Sequence, residues 1–254
     1  MYGAKYGANL TPDQIALVAV VALFAYVIKG FAGFGSAIVM VSVLTLFVDL
    51  KTVVFVTSAC AAVNGAVLYA RCRSHVTWRP ILWLVAASVL GVGAGTYVLM
   101  SFSGEALKKW LGVFVCAFSL YMLFQSRRGS TAAPRPWPEW LGPVCGFVAG
   151  VVFGVYGTGG PIVGIYLVHR LSQKDVLRGS LIAAFLVIDA LRLCGYIGCG
   201  LATGDAAILS CFAVPAAVVG GHVGTLVQAR VDSQTFRRVV AVVLLAAGVL
   251  LTAR

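Results

Sequence analysis

The sequence predicts an all-α, polytopic membrane protein built of two inverted repeats, each with a short glycine-broken helical hairpin followed by three transmembrane helices. Three observations predict this fold. Apolar runs of about 20 residues, long enough to cross a hydrocarbon core of about 30 Å, recur along the chain. Two glycine-rich stretches lie at matching places in the two halves. Basic residues concentrate in loops that would share one side of the membrane.

Composition places the chain in a bilayer rather than in water. Of its 254 residues, 61% are hydrophobic and 11% are charged, whereas a soluble domain carries roughly 25% charged residues. The net charge of +11 is explained by loop residues that set topology, so we expect no nucleic-acid partner. The N-terminus lacks a basic cluster and a small-residue cleavage site, which favours a retained first helix over a signal peptide.

The first repeat is predicted over residues 1–125 and contains five apolar segments. These segments run over about 13–29, 34–48, 52–70, 80–100 and 106–125. The first two are short and meet at GFAGFGSAIV, residues 30–39. They are either two tilted helices or a hairpin that enters the membrane and returns to the same side.

A cytoplasmic linker is predicted over 126–138, because this stretch is rich in Pro, Ser and Arg. The second repeat follows over 139–254. Its five apolar segments run over about 140–156, 160–169, 176–203, 206–229 and 236–252. Its first two segments meet at GVYGTGGPIV, residues 154–163.

The two halves match at two sets of positions. An offset of 124 places Gly30, Gly33, Gly35, Ile38 and Val39 on Gly154, Gly157, Gly159, Ile162 and Val163. An offset of 129 places Gly91, Gly95 and Thr96 on Gly220, Gly224 and Thr225. Two copies of one unit are therefore predicted, with five additional residues inserted in the second.

Each unit crosses the membrane an odd number of times, so the second copy should be upside down relative to the first. Charge tests this expectation. Four loops predicted to share one side carry 12 basic residues and the opposite side carries 5, which assigns the first side to the cytoplasm by the positive-inside rule. Both termini are then expected outside.

The paired glycine stretches are the candidate binding site. Paired breaks in the hydrophobic segments of two repeats are the best sequence pointer to a transporter's site. A half-helix beginning at Ser36 and another beginning at Gly160, followed by Pro161, would point free N–H groups and partial positive charge at an anion. Glycines used only for close helix packing are the alternative, and their recurrence in both halves favours a site. The substrate-binding candidates here are Gly30, Phe31, Gly33, Phe34, Gly35, Ser36, Tyr156, Gly157, Thr158, Gly159, Gly160 and Pro161.

Five polar or ionisable residues fall within apolar segments, and an intramembrane charge is a functional candidate by default. Asp189 and Arg192 are three apart and can pair on one helix face; alternatively Arg192 binds substrate or snorkels to the interface, and Asp189 carries a proton. Lys29 is either a cation beside the anion or a snorkelling lysine. His222 is either a packing residue or a proton-coupling one. Asn64 is a substrate candidate whose commoner use is a packing hydrogen bond.

Several chemistries are absent from the sequence. The seven cysteines are scattered without a CxxC pair, and no GxxxxGK[ST], HExxH or Ser/His/Asp set is present. We therefore expect no catalytic residues, no metal and no cofactor, and thus no enzyme.

At its glycine stretches, at LRGSL (177–181) and at the GxxxGT segments 91–96 and 220–225, the chain resembles the sulfite exporter TauE/SafE family, which includes permeases related to toluene sulfonate uptake. The resemblance covers nearly the whole chain. It implies a permease of the bacterial inner membrane for sulfite, organosulfonates or related anions, with the glycine stretches as substrate region and Arg178 after the second hairpin.

The sequence thus predicts a secondary transporter of a small anion, most strongly sulfite or an organosulfonate such as sulfoacetate, working by alternating access. Its partners would be the anion, the lipid bilayer and a coupled proton; oligomeric state is left open. The alternatives are an anion channel with the same constriction, a permease for a carboxylate anion, and an intramembrane enzyme.

Overall fold

The computed structural model describes residues 11–32, 35–127, 137–227 and 244–252. The described part of the chain is helical and contains no strand, so the predicted all-α fold is confirmed. The helices are α1 (Pro12–Ala32), α2 (Ser36–Leu44), α3 (Leu50–Cys72), α4 (Arg79–Ser101), α5 (Gly104–Arg127), α6 (Leu141–Tyr156), α7 (Gly160–Val168), α8 (Lys174–Gly198), α9 (Gly204–Val227) and α10 (244–252). They correspond in order to the ten predicted segments.

Five of the described helices are long and apolar enough to span a membrane, judged by length and composition. These spans are Pro12–Gly30, Leu50–His75, Arg79–Ser101, Asp175–Gly198 and Gly204–Leu226. By contrast, α2 and α7 have 9 residues each, which gives them a length of about 14 Å at 1.5 Å per residue. Neither can cross a hydrocarbon core of about 30 Å alone. Both therefore start or end inside the apolar layer.

The two halves of the chain pack against each other through the same residues of each half. α1 packs on α9, and α4 packs on α6. A Cβ atom at Gly30 would lie 2.9 Å from the Cα of Gly224, and a Cβ atom at Gly154 would lie 2.9 Å from the Cα of Gly95. These two contacts are related by the offsets of 124 and 129 that the sequence shows.

Glycine is required at these helix crossings because backbone meets backbone. A Cβ at Gly91 would overlap the Phe147 carbonyl oxygen, and one at Gly220 would overlap the Leu23 carbonyl oxygen. Close approach through small residues stabilises helix pairs where no hydrophobic effect operates between them. The shared contacts are those expected of two copies of one unit. The repeat boundaries and the inverted orientation of the second copy stay predictions.

α3 and α8 form a third helix pair between the two glycine breaks. A Cβ at Gly65 of α3 would lie 3.4 Å from Leu186 Cδ1 of α8, an ordinary contact. α2 packs on α3, and α7 packs on α8. The two half-helices therefore flank the α3–α8 pair, and Asp189 and Arg192 of α8 lie at the depth of the two glycine breaks.

Candidate functional site

Both half-helices begin at the residues that the sequence predicts. α2 starts at Ser36 after Gly35, and α7 starts at Gly160 after Gly159. Neither N-terminus is capped by a side-chain hydrogen bond. The first N–H groups of a helix have no partner within it, and they carry a partial positive charge. Two uncapped helix starts therefore supply donors for an anion.

A cavity of about 30 Å³ lies between the two helix starts. It is lined by residues of α1, α2, α3, α6, α7 and α8, and therefore by both halves of the chain. The lining residues are Lys29, Gly35, Ser36, Ala37, Ile38, Ala61, Phe153, Gly157, Thr158, Gly160, Pro161, Phe185 and Asp189. Seven of these were candidates from sequence in the glycine stretches or beside them, and Asp189 was a coupling candidate.

Lys29 supplies a buried positive charge to the cavity. Its side chain is 7% exposed, and its Nζ lies 5.3 Å from the centroid of the Tyr26 ring. Among the described residues no carboxylate lies within the 4.0 Å ion-pair limit of this amine. A buried cation without a counter-ion is costly. Lys29 therefore favours an anion as the occupant of the cavity, and its burial argues against the alternative of a snorkelling lysine.

Asp189 and Arg192 form the buried pair that their spacing predicts. Asp189 Oδ1 lies 3.3 Å from Arg192 Nη2, and the arginine is 0% exposed, so it does not reach the interface by snorkelling. This contact does not meet hydrogen-bond geometry, because Oδ1, Nε and Nη2 all lack a hydrogen-bond partner among the described residues. Nη1 donates to the Phe153 carbonyl at 3.4 Å. Asp189 lines the cavity, whereas Arg192 lies behind it.

The second glycine stretch fixes the guanidinium. Gly157 has a φ of +74° and ends α6, and a side chain there would overlap Arg192 Nη1. Only glycine takes this left-handed conformation without strain and leaves the space. Tyr196 also links α8 to α6 beside the guanidinium. Its hydroxyl donates to the Gly154 carbonyl at 2.7 Å, and Arg192 lies 5.8 Å from its ring centroid.

Thr158 faces the cavity with an unused hydroxyl. The residue is 2% exposed, and its Oγ1 has no hydrogen-bond partner within the described part of the protein. Buried hydroxyls are normally paired, and each exception calls for an explanation. A bound anion would accept the hydrogen bond that Thr158 leaves unmade.

Besides Arg192, four substrate-binding candidates from the sequence are not brought to the cavity. Gly30 lies in the α1–α9 contact, and Asn64 donates from Nδ2 to the Ala217 carbonyl at 3.3 Å, a packing hydrogen bond. Tyr156 points away and donates to the Leu107 carbonyl at 3.0 Å. Gly159 is packed under the Ala149 carbonyl and the Phe153 ring.

His222 is on the surface of α9, away from the cavity. Its Nδ1 lies 3.2 Å from Arg71 Nη1. The structure thus separates the two proton-coupling candidates, and Asp189 alone reaches the cavity. Gly33, Phe34 and the side chain of Phe31 lie outside the described residues.

Five apolar cavity residues were not among the residues predicted from the sequence, namely Ala37, Ile38, Ala61, Phe153 and Phe185. Phe153 could have been found, because an offset of 124 places it on Lys29. Ala61 and Phe185 lie mid-helix in apolar sequence and carry no local signal. No group of three metal-ligating side chains occurs in the described ranges, and the cysteines are free.

Membrane-spanning helices around a cavity that lies between two half-helices and is lined by a buried lysine define a polytopic membrane transporter. The family model of the sulfite exporter TauE/SafE matches residues 18–251, and the chain belongs to that family. It is 22% identical over 179 residues to the probable inner membrane transporter protein TsaS of Comamonas testosteroni, which covers 70% of this chain and 75% of that protein. No solved structure matches the chain significantly. The family is one of membrane transporters.

Proposed function

We propose that this protein is a secondary transporter of a small anion, most strongly sulfite or an organosulfonate such as sulfoacetate, in the bacterial inner membrane. The observation that carries the proposal is Lys29, a buried amine without a carboxylate partner among the described residues, at a cavity between two uncapped helix starts. The description of the family as sulfite exporters supports a sulfur oxyanion. The printed name of the relative TsaS supports the inner membrane.

The cavity offers the anion one buried lysine together with hydrogen-bond donors of the backbone and of a side chain. Lys29 supplies one positive charge, the starts of α2 and α7 supply backbone donors, and Thr158 supplies a hydroxyl. Such helix-terminus sites hold oxyanions through their free N–H groups. Since the lining comes from both halves of the chain, movement of one half against the other opens the cavity to either side. Alternating access of this kind suits a fixed site at a repeat interface.

Counterflow in liposomes tests the proposal. Purified protein is reconstituted, unlabelled sulfite is placed inside, and the entry of labelled sulfite is measured. A transporter shows entry that is stimulated by internal sulfite, whereas a channel shows none, and unlabelled carboxylates and sulfonates added outside rank the substrates by competition. Entry that does not depend on internal sulfite would show that the protein is a channel rather than a transporter.

Lys29→Gln tests the site itself. It should reduce counterflow at least tenfold, because the variant removes the cation and keeps a polar side chain. Lys109→Gln, which removes an exposed lysine of α5, is the matched control and should leave counterflow unchanged. The thermal midpoint of the K29Q protein should not fall, since a buried unpaired charge is lost. Normal counterflow in K29Q would rule out the cavity as the site.

A further inference from the structure

One negative charge lines the cavity that the proposed function assigns to an anion. Asp189 is 4% exposed and lines the cavity together with Lys29 and Thr158. It is the one buried carboxyl among the described acidic residues; Asp13, Asp49, Glu105, Glu139 and Asp175 are exposed and Asp205 is intermediate. A fixed carboxylate in an anion site would repel the substrate, so its presence requires a function.

The carboxyl and the proposed anion site share one cavity. Asp189 lines it together with the groups that would hold the anion, namely Lys29, Thr158 and the starts of α2 and α7. Oxygen would meet oxygen, and like charges in one buried site disfavour each other. A proton on the carboxyl removes this repulsion, because a protonated carboxyl donates an O–H hydrogen bond to the anion.

The surrounding charges allow the exchange. The groups that act electrostatically on Asp189 are Arg192 and Tyr196 of its own helix and Lys29 and Tyr26 of α1. Cys60 of α3 acts on Lys29 and Tyr26, and Cys199, which follows α8, acts on Tyr196. In the empty site, Asp189 is the ion-pair partner of Arg192, and its charge also acts on Lys29 from beyond ion-pair distance. A bound anion brings a second negative charge to Lys29, which leaves the carboxyl free to carry a proton.

We propose that Asp189 takes up one proton as the anion binds and gives it up as the anion leaves, so that the protein moves the anion and a proton together. This inference rests on the proposed function. The proton comes from water on the side where the anion enters, passes to a carboxylate oxygen of Asp189, and returns to water on the side of release. No covalent bond to the substrate forms or breaks.

Proton counting during binding tests the inference. Sulfite is titrated calorimetrically into the wild-type protein and into Asp189→Asn, each in Tris and in bis-Tris, whose ionisation heats differ. The wild type should take up close to one proton more per sulfite than D189N, and the protonation of sulfite itself cancels in this difference. The sulfite affinity of the wild type, divided by that of D189N, should fall by up to tenfold for each unit by which the pH is raised. Asp175→Asn, an exposed carboxyl of the same helix, is the control and should behave as the wild type.

A second measurement needs no variant, which matters if D189N fails to fold because Arg192 loses its partner. The infrared difference spectrum of the wild type with and without sulfite should gain the carbonyl stretch of a protonated carboxylic acid. Equal proton counts in wild type and D189N, or no such band on binding, would overturn proton coupling while leaving the transporter in place. Absence of both sulfite binding and counterflow in the wild type would instead overturn the proposed function, and the coupling with it.

Discussion

The two glycine breaks match in sequence but differ in what they do. At the first break, Gly35 has a φ of +99°, and a side chain added there would meet nothing within 4 Å. At the second, Gly157 has a φ of +74° and lies against the Arg192 guanidinium. The first break is open toward the cavity, and the second is filled by the protein itself. The repeat gives the two breaks similar backbones, and the side chains around them make the two breaks differ.

Lys29 and Phe153 show the same asymmetry in the cavity wall. The offset of 124 makes them equivalent positions, and both line the cavity. One supplies a charge, whereas the other is an aromatic ring packed 6.0 Å from the ring of Phe185. A symmetric pair of lysines would place two unpaired cations in one cavity. A single lysine opposite an apolar wall instead suits one small anion with a polar and an apolar end, as in an organosulfonate.

The largest expected effect comes from the charge pair behind the second break. Arg192→Gln leaves Asp189 as a buried unpaired charge, and breaking such a pair costs about 3–5 kcal/mol. We expect little folded protein and a much lower thermal midpoint in detergent. The double variant D189N/R192Q should be more stable than R192Q, because both charges are then absent. If R192Q retains the wild-type midpoint but loses sulfite binding, Arg192 is a substrate ligand rather than part of a structural pair.

A smaller loss of stability is expected from Gly157→Ala. A left-handed conformation costs a non-glycine residue roughly 1–2 kcal/mol, and overpacking against Arg192 adds about 1–3 kcal/mol. The guanidinium has to move, so anion transport should fall along with stability. Thermal unfolding and counterflow measured on one preparation would show this. A G157A protein with unchanged midpoint would mean that the second break is as open as the first.

Gly35→Ala changes the left-handed glycine of the first break and should cost less. The left-handed conformation again costs roughly 1–2 kcal/mol, but no atom lies within 4 Å of the new methyl group. We expect a modest drop in thermal midpoint with sulfite counterflow retained. A loss of stability equal to that of G157A would show that the two breaks are equally packed and would remove the asymmetry.

The sequence predicts the helices better than the cavity, for a physical reason. The conformational preferences of glycine and proline are local, so the helix starts at Ser36 and Gly160 could be predicted from the local sequence alone. The i,i+3 spacing likewise predicts the Asp189–Arg192 contact. Whether a residue faces the cavity depends instead on how each helix is rotated against its neighbours. Gly30 therefore proved to be a contact with α9.

The same limit explains which cavity residues the sequence missed. Phe185 lies one turn before Asp189 on α8, in a run of apolar residues that all look equivalent. Only the packing of α8 against α3 and α6 decides which of them lines the cavity. Tyr156 illustrates the opposite case, since its position beside Gly157 suggests a cavity wall while its hydroxyl bonds to α5.

The smallest expected effect tests the hydroxyl that the second break offers to the anion. Thr158→Val removes an Oγ1 without a described partner, so folding loses no hydrogen bond and the thermal midpoint should be unchanged. Anion binding loses one hydrogen bond worth about 0.5–1.5 kcal/mol, so sulfite affinity should fall roughly fivefold in a titration. Thr57→Val is the matched control, because Thr57 is also buried and unpartnered among the described residues but does not line the cavity. An equal loss of affinity in both variants would assign the effect to general loosening, whereas a loss confined to T158V would place the anion against the second break as well as the first.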